Sequence, residues 1–279
     1  MIGRLAVGAI ALAMLLSPAA HAADPAWQGR TLRACETEDG YPPFAFMGEQ
    51  GHAKGFSVDV IEAAIADTGL RLEVTFLPTK RCNAALDLGT MDLSMEDTWD
   101  ASTDATWLPT DPIWDIKPAL YYDHNRHPEG ISVADVRTDP THHRGCGLLG
   151  LGYGELAPGQ VDDRSYRFAD AITRLLRGEC EFFPESVEFG LAFQFEGRRI
   201  TDDPRIGWVA YPLIRHVGGP DKYRHDAKLQ LYLYLRHSYP GALALIARLN
   251  QVIAAWRRTG HDREVMSHYI DLTALEGTP

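Results

Sequence analysis

The fold is decided by residues 32–95, which read LRACETEDGYPPFAFMGEQGHAKGFSVDVIEAAIADTGLRLEVTFLPTKRCNAALDLGTMDLSM. The stretch opens on a short strand pattern, and a loop stiffened by two prolines follows at residues 41–44. Residues 55–59 then open a helical pattern, and residues 71–76 read as a strand with alternating apolar residues. A helix is predicted over 81–88 and a further strand over 91–95. Strands that alternate with helices predict an α/β architecture with largely parallel sheets.

The first predicted helix begins at Ser57, because a serine hydroxyl is a preferred N-cap. Val58, Ile61 and Ile65 then recur on one face, and Gly69 follows as a C-terminal stop. This pattern is typical of an amphipathic helix that packs on a sheet.

A similar unit recurs in the middle of the chain. Residues 145–151 read as a buried strand, residues 168–177 as a helix that stops at Gly178, and residues 181–183 as a strand. The C-terminal part differs: residues 229–236 alternate as a strand, a long helix opens at Pro240-Gly241 and ends at Gly260, and a short helix covers 263–269. The two units predict two α/β lobes of similar design.

The N-terminus predicts export. Residues 1–22 combine a positive Arg4, an apolar run over 5–16 and a small-x-small cleavage site at Ala20-His21-Ala22. A retained membrane anchor is the alternative, but the run is shorter than the roughly 20 residues of a membrane span. We therefore expect a signal peptide over 1–22 and a soluble periplasmic protein. The formal net charge of −11 argues against nucleic acid or anionic membranes as partners, although acidity can also serve solubility alone.

The chain has four cysteines, Cys35, Cys82, Cys146 and Cys180. In an oxidising compartment an even number predicts two disulfides, with three possible pairings. The spacing favours Cys35–Cys82 and Cys146–Cys180, one bridge in each half of the chain. Free buried thiols are the alternative. No close Cys-x-x-Cys pair or helical histidine pair indicates a metal site, so we expect neither a metal nor a cofactor.

Four short motifs in order resemble one family: Tyr41-Pro42-Pro43-Phe44, Gly55-Phe56-Ser57-Val58-Asp59, Gly89-Thr90-Met91-Asp92 and Asp111-Pro112-Ile113-Trp114. With the Gly-rich turn at 150–154 and the C-terminal pattern, they are similar to the periplasmic solute-binding proteins of the amino-acid-transport class (type II, family 3-like). Cys35 with Arg81-Cys82 further resembles a divergent subgroup of that family.

The resemblance implies a monomer of two lobes, each a mainly parallel sheet flanked by helices, with two crossing strands as the hinge. It places the first lobe at residues 23–120 plus 226–279 and the second at 121–225. Tyr121-Tyr122 and the stretch before Leu229 are the hinge candidates. The ligand is expected in the cleft, where the strands of open α/β sheets end, and lobe closure is expected to trap it.

Aromatic and acidic residues follow the predicted strands of the first lobe. Tyr41 and Phe44 are candidates to stack on a ligand, with packing of the loop onto the core as the alternative. The other candidates here are Glu96, Thr98, Trp99 and Trp114, and for the acidic residues a solvated loop is the alternative.

One residue of the family pattern is missing. Amino-acid binders hold the ligand's α-carboxylate with an arginine shortly after residue 98, but residues 101–110 contain no Arg or Lys, and Asp104 takes the expected position. Arg81 can supply a cation from another direction, or it forms a structural salt bridge. Either the ligand has no free α-carboxylate or the clamp is built differently.

In the second lobe, Gly152 and Tyr153 precede a predicted helix start that can hold an anionic oxygen, although an ordinary turn is the alternative. Glu185 lies where the family often places an acid for the ligand's amino group. Together with Glu96 and the tryptophans, it favours a cationic or amine-bearing solute.

The leading hypothesis is therefore an exported protein, not an enzyme, that delivers a small polar ligand to an inner-membrane ABC-type transporter. The alternatives are a periplasmic dehydratase-like or lyase-like enzyme on the same fold, with Glu185 or Glu96 as acid or base, and a ligand-sensing accessory module for a membrane receptor.

Overall fold

The fold was taken from a computed structural model, which describes residues 27–98, 105–153, 156–216, 223–227 and 229–276. The predicted signal peptide at 1–22 lies outside these residues. Within them, no helix is both long and apolar enough to cross a membrane.

The first sheet has six strands in the order β4-β1-β5-β17-β6, with β7 pairing to another part of β17. Its strands are β1 (Thr31–Thr37), β4 (Arg71–Leu77), β5 (Leu93–Thr98), β6 (Trp107–Pro109), β7 (Trp114–Ile116) and β17 (Leu229–Arg236). β1, β4 and β5 are parallel, and β17 runs antiparallel to its three neighbours.

The second sheet has five strands in the order β10-β9-β11-β8-β14. They are β8 (Pro118–Asp123), β9 (Gly145–Leu148), β10 (Val161–Ser165), β11 (Phe182–Ser186) and β14 (Ile206–Ala210). β9, β10 and β11 are parallel, and β8 runs antiparallel to both β11 and β14, so β14 points the same way as these three strands. The prediction of mainly parallel sheets flanked by helices is confirmed: in each sheet one strand, β17 or β8, runs against all the others.

Three two-stranded ribbons complete the strands: β2 (Phe46–Met47) with β3 (Ala53–Lys54), β12 (Gln194–Phe195) with β13 (Arg198–Arg199), and β15 (Leu213–His216) with β16 (Tyr223–Ala227). The helices are α1 (Phe56–Ile65), α2 (Thr79–Asp87), α3 (Val133–Thr138), α4 (Phe168–Leu176), α5 (Val187–Ala192), α6 (Ala242–Thr259), α7 (His261–Ser267) and α8 (Leu272–Glu276), with a 3₁₀ turn at Ile200–Asp202.

The start of α1 differs from the prediction. Gly55, not Ser57, is the N-cap, and its φ of 129° lies in a region that L side chains rarely adopt. A Cβ at Gly55 would also lie 2.1 Å from the Phe44 carbonyl oxygen, so only glycine fits. Ser57 is instead inside the first turn, with its side chain buried.

The first passage between the sheets is very short. β7 ends at Ile116 and β8 begins at Pro118, so Lys117 alone separates them. The hinge candidates Tyr121 and Tyr122 lie further along, inside β8, and pair with β11 and β14, so their role in a hinge stays a prediction. The second passage runs from β14 to β17 and includes the β15–β16 ribbon. The division into two moving lobes at the predicted boundaries stays a prediction.

Both predicted disulfides are present. Cys35–Cys82 has a Cα–Cα distance of 5.8 Å and links β1 to α2. Cys146–Cys180 has a Cα–Cα distance of 5.6 Å and links β9 to the segment before β11. Each bridge therefore joins segments that belong to a single sheet and its helices.

Candidate functional site

The two sheets meet where Tyr41 reaches the end of β11. The Tyr41 hydroxyl donates to Glu185 Oε2 at 2.9 Å, and it lies 3.3 Å from Ser186 Oγ. The Ser186 backbone N–H also donates to Glu185 Oε2 at 2.9 Å. One carboxylate oxygen of the second lobe thus receives a hydrogen bond from the loop that follows β1.

The Tyr41 ring lies among aromatic side chains of both lobes. It stacks on Phe44 at 5.6 Å and on Phe189 at 5.5 Å between ring centroids, and Phe168 is tilted against it at 6.2 Å. Burial, followed by the negative charge of Glu185, raises the pKa of the Tyr41 phenol well above its usual value. Tyr41 therefore stays a neutral hydrogen-bond donor.

Two further polar contacts join the lobes. Arg167 Nε donates to Asp39 Oδ1 at 2.7 Å, and the Phe168 backbone N–H at the start of α4 donates to Asp39 Oδ2 at 3.0 Å. Asn83 Nδ2 on α2 donates to the Gly150 carbonyl oxygen at 2.9 Å. The loop after β1 and helix α2 thus both contact the second lobe directly.

Acidic side chains cluster at the carboxyl end of the first sheet. Glu36 near the end of β1 faces Glu96 of the adjacent β5, and Ser57 lies beside them. Burial raises the pKa of Glu36 to about 7 and that of Glu96 well above its ordinary value. Asp97, which is exposed, accepts a hydrogen bond from Ser94.

A buried acid also lies at the first passage between the sheets. Glu188 accepts hydrogen bonds from Trp114 Nε1 at 3.2 Å and from the Lys117 backbone N–H at 3.0 Å. Burial raises the pKa of this carboxyl to about 7. Trp114 belongs to the first sheet and Glu188 to a helix that packs on the second, so this acid joins the two.

Of the predicted site residues, the structure brings Tyr41 and Glu185 into direct contact. Phe44 is fully buried and meets Phe56 edge-on, so packing onto the core describes its position. Trp114 is also buried, against Phe56. Neither ring lines an open surface here.

The remaining predicted residues are dispersed. Thr98 is exposed, and its carbonyl oxygen accepts from Tyr234. Gly152 is exposed, while the Tyr153 hydroxyl turns back and accepts from the Leu148 backbone N–H at 2.7 Å. Trp99 lies outside the described residues. Arg81 is exposed on α2, where both Lys80 and Asn83 approach Gly150. Its proposed role as a clamp stays a prediction.

Several residues of this region were missed in the sequence. Glu36 follows the same rule that singled out Glu96, since it precedes the end of a neighbouring parallel strand. Asp39, Ser186, Phe168 and Phe189 carry no comparable signal, because their contacts depend on how the two lobes meet. For metals, the described residues contain no group of three His, Cys, Asp or Glu side chains arranged to hold an ion.

A family model matches residues 34–271, which is most of the chain, and its description is "bacterial extracellular solute-binding proteins, family 3". The chain belongs to this family. A comparison with curated protein sequences found no match.

Several solved structures are similar in fold to this solute-binding protein. One is an amino acid ABC transporter substrate-binding protein, AbpA, from Streptococcus pneumoniae bound to L-arginine (14% identity, 86% of this chain and 94% of that one, TM-score 0.63). Another is the ancestral amino acid-binding protein AncCDT-1, a precursor of cyclohexadienyl dehydratase (16% identity, 86% of this chain and 96% of that one, TM-score 0.63). A third is a histidine kinase sensor domain with similarity to periplasmic binding proteins (20% identity, 86% of this chain and 95% of that one, TM-score 0.60). At these identities the similarity concerns the fold, that of two-lobed periplasmic binding proteins.

Proposed function

We propose that this family 3 protein is an exported, periplasmic solute-binding protein that closes its two lobes on a small polar, amine-bearing ligand. It then delivers the ligand to an ABC-type transporter in the inner membrane and performs no chemistry itself. The observation that carries the proposal is the contact between Tyr41 and Glu185, because it joins the carboxyl ends of the two sheets. Ligands of open α/β sheets bind at that edge.

The side chains at this edge support a cationic ligand. Glu185 presents a carboxylate beside the Tyr41 and Phe189 rings, and carboxylates with aromatic faces are the groups that hold ammonium and guanidinium ions. The absence of Arg and Lys from residues 101–110 agrees with this, since nothing in that segment can pair with a ligand carboxylate.

The transporter and the location rest on different support. The family consists of extracellular solute-binding proteins, and AbpA, which has a similar fold, is part of an amino acid ABC transporter. Two disulfides within separate halves suit an oxidising compartment.

Thermal unfolding of the purified protein against a metabolite panel tests the proposal, after removal of co-purified ligand. A ligand present at a hundred times its dissociation constant is expected to stabilise the protein by about 2.7 kcal/mol, and stabilisation should grow with the logarithm of concentration. The proposal would be contradicted if no amine, amino acid or other small polar solute stabilised the protein.

An enzyme on the same fold is the second candidate, and one observation favours it. The Glu36 carboxyl has a pKa raised to about 7 and faces Glu96, which is the kind of acid that general acid–base catalysis uses. AncCDT-1, a precursor of cyclohexadienyl dehydratase, has a similar fold. Turnover of a bound metabolite that is abolished by Glu185→Gln or Glu96→Gln would favour a lyase over a binding protein.

A sensor role is the third candidate, supported by the similar fold of a histidine kinase sensor domain. Here the liganded protein would dock on a membrane receptor rather than on a permease. Uptake of the identified ligand by cells that lack this protein separates the two: normal uptake with a lost transcriptional response would favour the sensor.

A further inference from the structure

Three polar side chains converge at the carboxyl edge of the first sheet. Glu36 and Glu96 come from adjacent parallel strands, since Cys35 of β1 lies opposite Ser94 of β5. Ser57 comes from the first turn of α1, which follows the loop after β1. Two strands and one helix therefore hold this set, which we call the acid pair with its serine.

The acid pair has hydrogen-bonding capacity that the described part of the chain does not use. Both carboxylate oxygens of Glu96 and the Oγ of Ser57 are enclosed; they lie near one another and Glu36, but none of the three makes a well-formed hydrogen bond in the described part of the chain. Ser57 has no exposed surface at all. By contrast, Glu36 Oε1 accepts from the Thr37 backbone N–H at 2.6 Å. Buried polar atoms without partners are rare in native proteins and indicate a missing partner.

The backbone at Glu96 is shaped to aim its side chain. Its φ of 57° lies in the left-handed region, which is unusual for a residue other than glycine. Asp97 pairs with Tyr232 and Ser94 with Tyr234, so Met95 and Glu96 together oppose the single residue Leu233. This is a β-bulge, a feature that redirects side chains and is frequent beside functional sites.

The charges around the acid pair are negative. The charged groups that act on Glu96 are Glu36 from β1 and Asp97 from β5, and both raise its pKa. For both members of the pair, the strongest charged neighbours are other carboxyls of β1 and β5. Two facing carboxyls repel each other when both are ionised, so protons and ligand cations compete for this pair.

We infer that Glu36 and Glu96, completed by the Ser57 hydroxyl, form a subsite that binds the protonated amine or guanidinium group of the ligand. The inference rests on the proposed binding function and deepens it, because it assigns the cationic end of the ligand to the first lobe. These oxygens suit an organic cation, since carboxylate and hydroxyl oxygens accept hydrogen bonds from the N–H groups of ammonium and guanidinium ions. The same set repels a ligand carboxylate.

The probe for this subsite is methylammonium chloride, which carries the cationic group and little else. At about pH 8 the probe should raise the midpoint of thermal unfolding above that in NaCl of equal concentration. At about pH 5 protons compete with methylammonium for the two carboxyls, so the apparent affinity for methylammonium should fall roughly tenfold or more.

Glu96→Gln and Glu36→Gln should each abolish the difference between methylammonium and sodium, and both variants should stay folded because glutamine keeps the shape. Glu73→Gln is the matched control, since Glu73 is an exposed acid on β4, next to β1. An unchanged response in both pair variants would overturn the inference, as would a wild-type protein that does not distinguish methylammonium from sodium. Calcium binding that Glu96→Gln abolishes would replace it with a metal site.

The failure of this inference is distinguishable from the failure of the proposed function. If a metabolite stabilises the wild-type protein and the Glu36→Gln and Glu96→Gln variants equally, the chain binds solutes but not through the acid pair. If no metabolite and no methylammonium effect is found, the proposed function fails with it.

Discussion

Removal of one hydroxyl group tests whether the lobes hold each other. In Tyr41→Phe the ring keeps its stacking on Phe44 and Phe189, while the hydrogen bond to Glu185 Oε2 at 2.9 Å is lost. A hydrogen bond to a charged group contributes about 1.5–3 kcal/mol. Glu185 keeps its bond from the Ser186 N–H and gains water when the lobes separate. The loss of closure free energy should therefore be smaller, about 1–2 kcal/mol, which changes the ratio of closed to open protein roughly 5- to 30-fold.

Interlobe distances measured on ligand-free protein check this prediction. Spin labels carried by unnatural amino acids at Leu88, directly after α2, and Tyr166, before α4, suit the measurement, since these side chains are 79% and 64% exposed on opposite lobes. The wild-type protein should show a dominant short distance, and Tyr41→Phe should add a longer one. Tyr232→Phe is the control, because the Tyr232 hydroxyl donates to Gln230 within one strand. The reasoning is refuted if Tyr41→Phe and Tyr232→Phe give the same distances as the wild type.

Three further predictions follow from the same structure. Arg167→Ala removes the interlobe bond to Asp39 and, because Arg167 is half exposed, should weaken closure by at most about 1 kcal/mol; a salt-independent effect on the interlobe distance would contradict this. The pKa of the Glu36 carboxyl is about 7 in the folded protein against an ordinary 4.5, so the folded protein keeps a proton that the unfolded chain has lost. The free energy of unfolding should therefore fall by up to about 3 kcal/mol as pH rises from about 4.5 to 7. Urea unfolding of Glu36→Gln should depend less on pH than that of the wild type. Replacing Cys146 and Cys180 by serine releases a 34-residue separation and should cost about 4 kcal/mol in chemical unfolding, and an unchanged midpoint would be the contrary result.

Local patterns predicted much of the fold. The alternation of β17 predicted its span from residue 229 to 236, and Gly260 ended α6 as expected, since its φ of 75° needs a residue tolerant of the left-handed region. The disulfide pairing followed from spacing. By contrast, the predicted start of α1 was wrong. Gly55 comes close to the Phe44 carbonyl, and local sequence preferences do not indicate such a tertiary contact.

The site was less accessible to prediction. Tyr41 was predicted from its place after the first strand and Glu185 from the family resemblance, but their mutual bond depends on the relative position of two lobes that are far apart in sequence. Glu36 was missed because an acid on a strand reads as a solvent-facing residue, whereas the neighbouring β5 and α1 enclose it. The bulge at Glu96 depends on the register with β17, which enters from the other end of the chain.

The connection at Lys117 has a consequence for how long a ligand stays bound. Its backbone N–H donates to Glu188, and its Nζ donates to the Leu275 carbonyl oxygen of α8 at 2.8 Å. The single residue of the first passage between the sheets is thus held from both sides, by a helix on the second sheet and by the helix α8. Breaking these bonds is part of the barrier to opening, so dissociation rates should respond to changes in α8 that contact no ligand. Residence time in this protein is then adjustable independently of ligand recognition.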